Sequence, residues 1–270
     1  MNTKNETILP ETEKIREFVR ERYGAIAEQS DDSCGCKSTG CCGGGQQNYG
    51  EKLGYSAAEL AAAPDGADLG LGCGNPLAIA SIKPGETVLD LGSGAGFDCF
   101  LAARQLAGTG RVIGVDMTAA MITKARANAA KASFKNVEFR LGEIEALPVA
   151  DGSVDLIISN CVINLSPEKA RVFAEAFRVL KPGGRLAISD VVATKPLPEK
   201  LREKLSAIGA CIGGATPVEE LRRLLTAAGF DRVDIVLKEN SRDYIRHWTE
   251  DATAGDFVVS ALITAYKAGA

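Results

Sequence analysis

The chain has 270 residues, 46% hydrophobic and 24% charged, with a formal net charge of −4 and a pI near 5.3. That length suits one medium domain with a smaller appendage; no strongly basic stretch offers a footprint for nucleic acid, and no run of about 18 apolar residues predicts a membrane span. Met1 to Arg22 lacks the apolar region of a signal peptide, so the cytoplasm is the expected location, with no membrane partner.

Ile15, Phe18, Val19, Tyr23 and Ile26 recur on one helical face and predict an amphipathic helix. Gln29 to Gly50 is rich in Gly, Ser and Cys, has little to bury and predicts a mobile loop. A short helix is expected over Ser56 to Ala63, with Ser56 as its N-cap and Glu59 closing a capping box. Gly70 to Pro76 is a glycine-punctuated loop carrying Cys73. From Lys83 the rhythm alternates between strand and helix. Strands are predicted at Thr87 to Leu91, Arg111 to Val115, Val137 to Leu141, Val154 to Ser159 and Arg185 to Ser189. Helices are predicted at Phe97 to Leu106, Ala119 to Ala132, Pro167 to Leu180 and Pro217 to Ala228. Lys181-Pro182-Gly183-Gly184 reads as a turn, and Asp231 to Leu237 and Phe257 to Tyr266 as closing strands. Such alternation predicts an α/β fold: a doubly wound, mostly parallel, Rossmann-like sheet. The expected division is 1–82 for a helical, cysteine-rich N-terminal segment, 83–197 for the nucleotide-binding core, and 198–270 for the remaining core elements and a small C-terminal part.

Val88-Leu89-Asp90-Leu91 runs into Gly92-Ser93-Gly94-Ala95-Gly96. The glycines permit a sharp turn and close approach of a ligand to the backbone, and the following helix start adds N–H donors. Asp116 ends the next strand about 20 residues later, where an acidic residue can accept hydrogen bonds from ribose hydroxyls. The spacing is Gly-x-Gly-x-Gly, and Asp90 lies just before it. A pyrophosphate would be repelled there, whereas the sulfonium and amino group of S-adenosylmethionine would be attracted. Gly142-Glu143-Ile144-Glu145 follows the third strand, at the carboxyl edge of the sheet where adenine would lie. With Leu180-Lys181-Pro182-Gly183-Gly184, the segment from Lys83 to Leu237 resembles the class I methyltransferases. That resemblance implies S-adenosylmethionine as cofactor, bound by Asp90, Gly92, Ser93, Gly94, Gly96, Asp116, Met117, Gly142, Glu143 and Asn160.

Eight cysteines are present: Cys34, Cys36, Cys41, Cys42, Cys73, Cys99, Cys161 and Cys211. Without an export signal, this number points to soft-metal binding or redox chemistry. Cys161 follows the fourth strand, Cys211 lies between glycines beyond the sheet core, and Cys73 stands just before the fold. Each could also be an ordinary buried or incidental thiol. Cys99 falls on the helix after the glycine loop and reads as packing. Cys34-Gly35-Cys36 with Cys41-Cys42 admits a four-thiolate zinc site, a metalloid tether toward Cys73, or a disordered tail.

Gly70-Leu71-Gly72-Cys73-Gly74-Asn75-Pro76, Gly114-Val115-Asp116-Met117-Thr118, Ser159-Asn160-Cys161-Val162-Ile163-Asn164-Leu165 and Cys211-Ile212-Gly213-Gly214-Ala215 resemble the arsenite methyltransferase family. The resemblance implies that Cys161 and Cys211 hold As(III), with Cys73 as a third thiol, and that arsenite and methylarsenite are substrates. An N-terminal cysteine is used in some members; four crowd the loop here, and Cys41 and Cys42 are candidates for further metal-binding thiols. As(III) is thiophilic, its lone pair can attack a methyl group directly, and it has no proton to lose. The single histidine, His247, accordingly reads as structural. Methyl transfer leaves arsenic pentavalent, so paired cysteines are expected to supply two electrons and to be reset by thioredoxin or glutathione. Two other readings stand beside this one: a methyltransferase acting on a small carbon acceptor such as a quinone or sterol, and a non-catalytic arsenite sensor. The first needs an apolar pocket and often a base; the second needs no complete cofactor site.

Overall fold

The computed structural model describes residues 11–29, 46–249 and 252–269. Cys34, Cys36, Cys41 and Cys42 lie outside the described residues, so their expected metal or tether roles find no structural account. Four helices precede the sheet: α1 (Glu11–Gln29), α2 (Gln46–Leu53), α3 (Ala57–Ala62) and α4 (Leu77–Ala80). The Ser56 and Glu59 capping box opens α3 as expected. Gln46–Gly50, read from its composition as loop, is helical instead. Packing overrides the weak local signal here: Tyr49 packs against the core, and a Cβ on Gly50 would lie 2.5 Å from the Leu60 side chain.

The alternating part follows the expected order. Its strands are β1 (Thr87–Leu91), β2 (Arg111–Asp116), β3 (Val137–Leu141), β4 (Val154–Asn160), β5 (Leu180–Ala193), β6 (Thr216–Pro217), β7 (Asp231–Lys238) and β8 (Val258–Tyr266). The helices between them are α5 (Phe97–Gln105), α6 (Ala119–Lys131), α7 (Lys169–Val179), α8 (Glu199–Glu203), α9 (Leu205–Ile208), α10 (Val218–Ala227) and α11 (Arg242–Ile245). The sheet order is β3-β2-β1-β4-β5-β8-β7, with the short β6 beside β5. Strands β1 to β5 are parallel; β8 inserts antiparallel between β5 and β7. Every residue of β1 is buried, as suits a central strand covered on both faces.

Lys181-Pro182-Gly183-Gly184, expected as a turn, is the irregular start of β5. Leu180 pairs with Val154 across a register shift, and the chain end satisfies the segment: Gly183 N–H donates to the Lys267 carbonyl at 3.0 Å, and Lys267 N–H to that of Gly184 at 2.9 Å. Apolar side chains fill both faces of the sheet. A third cluster, at the carboxyl end of the parallel strands, contains Cys73, Cys161 and Cys211 with Val191, Ile212 and Val258. No described helix is long and apolar enough to cross a membrane.

Candidate functional site

At the carboxyl end of β1 the chain turns through Gly92 (φ +69°), Gly94 (φ +50°) and Gly96 (φ +97°) into α5. A side chain is excluded at two of these positions. A Cβ on Gly92 would lie 2.3 Å from Val162, and one on Gly96 2.7 Å from the Phe100 and Phe139 rings. The N–H groups of Gly92 and Ser93 both donate to the Val115 carbonyl, which ties the loop to β2. Asp116 accepts from Gly94 N–H at 3.0 Å and Thr118 N–H at 2.8 Å. The Ser93 hydroxyl is buried with no hydrogen-bond partner among the described residues. A buried orphan of this kind suits a polar ligand that supplies the missing bond.

The loop floors a cavity of about 810 Å³, a volume that accommodates a nucleoside-sized ligand. Of the residues singled out from sequence, Asp90, Gly92, Ser93, Gly94, Asp116, Met117, Gly142, Asn160, Cys161 and Cys211 line it. Three do not. Gly96 shapes the turn beneath it, Cys73 lies fully buried behind its wall, and Glu143 pairs with Arg20 and Arg16 of α1. Glu145, two residues on, reaches the cavity in place of Glu143. His247 stands exposed at the cavity rim, not packed as a structural residue. Cys99 is buried as expected, and its thiol also donates to the Asp90 carboxylate at 3.2 Å.

The three thiols arrive from separate segments. Cys73 precedes α4, Cys161 follows β4, and Cys211 follows α9. Cys161 and Cys211 both hold φ of +61°, a left-handed conformation that costs a β-carbon-bearing residue energy. Backbone bonds fix both: Cys161 N–H donates to the Ser189 carbonyl and Cys211 N–H to that of Ile208, each at 2.8 Å. The Cys211 thiol donates to the Cys161 carbonyl at 2.8 Å. Burial pushes the Cys161 thiol well above its ordinary value, and hydrogen bonds with Cys211 and Cys73 push the same way. For Cys211 the hydrogen bond with Cys161 pulls down, but burial and the Asp190 charge outweigh it and the thiol is raised. Cys161 and Cys211 therefore stay protonated at neutral pH.

Asn160 joins the thiols to the cofactor side. Its Oδ1 accepts from Cys73 N–H at 3.1 Å, and its Nδ2 donates to the Gly74 carbonyl, the Tyr55 phenol and the Asp98 carboxylate. Tyr55 and Asp98 were not legible from sequence as site residues; nor were Asp190 on β5 and the rings of Tyr49, Tyr244 and Trp248 on the cavity wall. Their phenols anchor the cysteine loops: Tyr49 donates to the Gly72 carbonyl at 3.3 Å and Tyr244 to that of Cys73 at 3.0 Å. The one usable signal was composition, since Trp248 is the single tryptophan of the chain.

The buried Asp90, Asp98 and Asp190 and the half-buried Asp116 surround this region. Burial raises Asp90 well above its usual range, raises Asp116, and carries Asp98 and Asp190 up to about 6. Groups raised in this way bind more protons folded than unfolded, so they stabilise the fold below about pH 4 and lose that contribution as pH rises through their raised values, about 6 for Asp98 and Asp190. The protein free of ligands should therefore have a higher urea midpoint at pH 5 than at pH 7. A midpoint that climbs from pH 5 to 7 would contradict the burial of these charges. A ligand carrying positive charge relieves the same penalty at neutral pH, and the cavity wall suits one.

Residues 82–229 match a family model described as a methyltransferase domain. The chain is 52% identical to an arsenite methyltransferase of Halobacterium salinarum, over 99% of this chain and 71% of that protein. It is 40% identical to an arsenite methyltransferase of Aquipseudomonas alcaligenes, over 80% of this chain and 62% of the relative. Among solved structures, the arsenic(III) S-adenosylmethionine methyltransferase of Chlamydomonas reinhardtii superposes with a TM-score of 0.62 at 35% identity, over 82% of this chain and 73% of that one.

Proposed function

The chain belongs to the arsenite methyltransferase family, and from that premise we propose that it methylates trivalent arsenic held by Cys73, Cys161 and Cys211. Its methyl donor is S-adenosylmethionine, which supplies an electrophilic methyl group on a sulfonium. The observation that carries the reading is the meeting of three buried thiols beside the glycine-loop cavity. On the donor side, Asp116 and the Ser93 hydroxyl would take the ribose, while the acidic wall of Asp90 and Asp98 faces positive charge. Gly92, pressed against Val162, brings the donor loop against the residue that follows Cys161.

On the acceptor side, arsenite exchanges its three hydroxides for three thiolates. Each thiol proton leaves with a hydroxide as water, so no charge builds up among these buried groups and no base is required. The arsenic lone pair then attacks the methyl carbon as the carbon–sulfur bond breaks and its electrons return to sulfur. Alignment supplies the rate, and the strained, hydrogen-bonded settings of Cys161 and Cys211 fix it. Two of the thiolates then leave as a disulfide, giving arsenic back two electrons, while a water adds to the positively charged arsenic and releases a proton, leaving a neutral trivalent methylarsenical. Cys161 and Cys211, in hydrogen-bond contact, are the pair we assign. A dithiol carrier such as thioredoxin, or glutathione, resets them by exchange. Methylarsenite re-enters as substrate, and the cell is relieved of arsenite.

The test is to incubate the purified chain with arsenite, S-adenosylmethionine and a thiol reductant and to separate the arsenic species by chromatography with mass detection. Methylarsenicals that form only with all three components are the expected result. Intact S-adenosylmethionine binding without any methylated arsenic would reject arsenic as the acceptor.

A further inference from the structure

Cys73, Cys161 and Asp190 stand together at the sheet's carboxyl edge. Their sulfur atoms and a carboxylate oxygen of Asp190 all lie within 4.8 Å of one another. All three residues are buried, and they come from the loop before α4, the end of β4 and the middle of β5. Cys211 is outside this close group; its thiol points to the Cys161 carbonyl. Asp190 is itself held in place: it accepts from Asn164 Nδ2 at 2.9 Å and from Val191 N–H at 2.7 Å on one oxygen, and from Asn164 N–H at 3.3 Å on the other.

Two sulfurs and one oxygen form a donor set that differs from a three-thiol arsenic site. As(III) bound by three thiolates keeps a lone pair in its fourth direction and has no use for a carboxylate. A borderline-soft divalent cation has no such lone pair and takes mixed sulfur and oxygen donors. Two sulfurs bound about 2.3 Å from a tetrahedral zinc stand about 3.8 Å apart, so donors within 4.8 Å need only about 1 Å of movement to close on it. Charge favours the exchange. With Asp190 ionised the group carries one negative charge; a divalent cation adds two positive charges and the two thiols release two protons, leaving the net charge unchanged. The protein therefore buries no additional charge when the cation enters. Cys161 lines the cavity, whose Asp90, Asp98 and Asp116 give an entering cation an acidic path.

We propose that Cys73, Cys161 and Asp190 form a site for a zinc-like divalent cation, which competes with arsenic for the two shared thiols and holds them while no arsenic is present. The reaction balances as one divalent cation and two thiols giving two cation–thiolate bonds and two protons, with the carboxylate as third ligand and water completing the shell. The cation is not consumed, and no electrons move.

Cadmium is the probe, because its bonds to thiolate absorb in the near ultraviolet. The titration uses the full chain with Cys34, Cys36, Cys41 and Cys42 replaced by serine, which removes four competing thiols and leaves Cys99 and Cys211 common to every variant. One cadmium per chain, a band of two-thiolate intensity, two protons released and displacement by arsenite are expected. Asp190→Asn should keep the band but weaken binding roughly tenfold or more. Cys73→Ser should halve the band. Calorimetry of S-adenosylmethionine binding confirms that each variant is folded. Should a variant fail that check, the other carries the test. Absence of the band, or cadmium binding equally tight in Asp190→Asn and in its parent, would overturn the proposal. None of these readouts depends on methyl transfer, and all but the displacement by arsenite stand even if the arsenic reading fails.

Discussion

Cys161→Ser should abolish arsenic methylation, lowering the rate by roughly a hundredfold or more, while S-adenosylmethionine still binds. The reason lies in ligand softness and position together. A serine hydroxyl is a hard, weakly acidic donor that does not displace hydroxide from As(III) at neutral pH. Cys161 is also the central residue of the three: its sulfur lies within 4.8 Å of that of Cys73, and its carbonyl accepts from the Cys211 thiol. The backbone at φ +61° is held by Ser189 and not by the side chain, so serine should keep the local fold. Cys211→Ser should lose the same activity, with its S-adenosylmethionine affinity within about twofold of wild type. Calorimetry against the methyl donor and chromatography of arsenic products separate the two effects. Methylation persisting near the wild-type rate in Cys161→Ser would remove that thiol from the mechanism.

Gly214→Ala should destabilise the fold by about 3 kcal/mol and cripple methyl transfer. An added Cβ would sit 2.0 Å from the carbonyl oxygen of Asn164. That carbonyl cannot retreat easily, because Asn164 is tied to Asp190 through its amide N–H and side chain and to the Val191 carbonyl through Nδ2. Relief has to come from separating the Cys211 segment from the segment after Cys161, which pulls the thiols apart. Gly209→Ala makes a useful contrast. Its Cβ would meet only the side chains of Arg22 and Phe18, at 2.9 Å, and flexible groups can yield. Thermal midpoints and methylation rates of the two variants should therefore diverge. A Gly214→Ala protein as stable as wild type would show that these two loops are not in fixed contact.

The alternating core was legible because a central parallel strand writes itself as an apolar run, as Leu156 to Ile158 does, and because Gly-x-Gly-x-Gly leaves few ways to turn. Where local pattern and tertiary packing disagreed, packing decided. Lys181-Pro182-Gly183-Gly184 has the composition of a turn, yet backbone bonds to Lys267, far along the chain, draw it into β5. The helix at Gln46 likewise depends on Leu60, a neighbour that composition does not reveal. At the site, residues announced by a motif were found on the cavity wall, as Asp116 and Cys161 were. Glu143 was not: an acidic residue at a strand end looks alike whether it faces a ligand or, as here, Arg20 of α1. Asp190 and Tyr244 carry no motif at all. Asp190 reaches the thiols because β5 lies beside β4, and Tyr244 because β8 and the chain before it fold back beside β5, long-range events with no local signature.

Cys73, Cys161 and Cys211 are contributed by stretches of chain that meet only once β4 and β5 lie side by side. If these thiols hold arsenic as proposed, a partly synthesised chain would have thiols but no assembled chelate, and its grip on arsenic would be that of scattered single sulfurs. On the proposed reading, custody of arsenic would begin only when these segments have come together, and a molecule that lost its fold would lose its cargo.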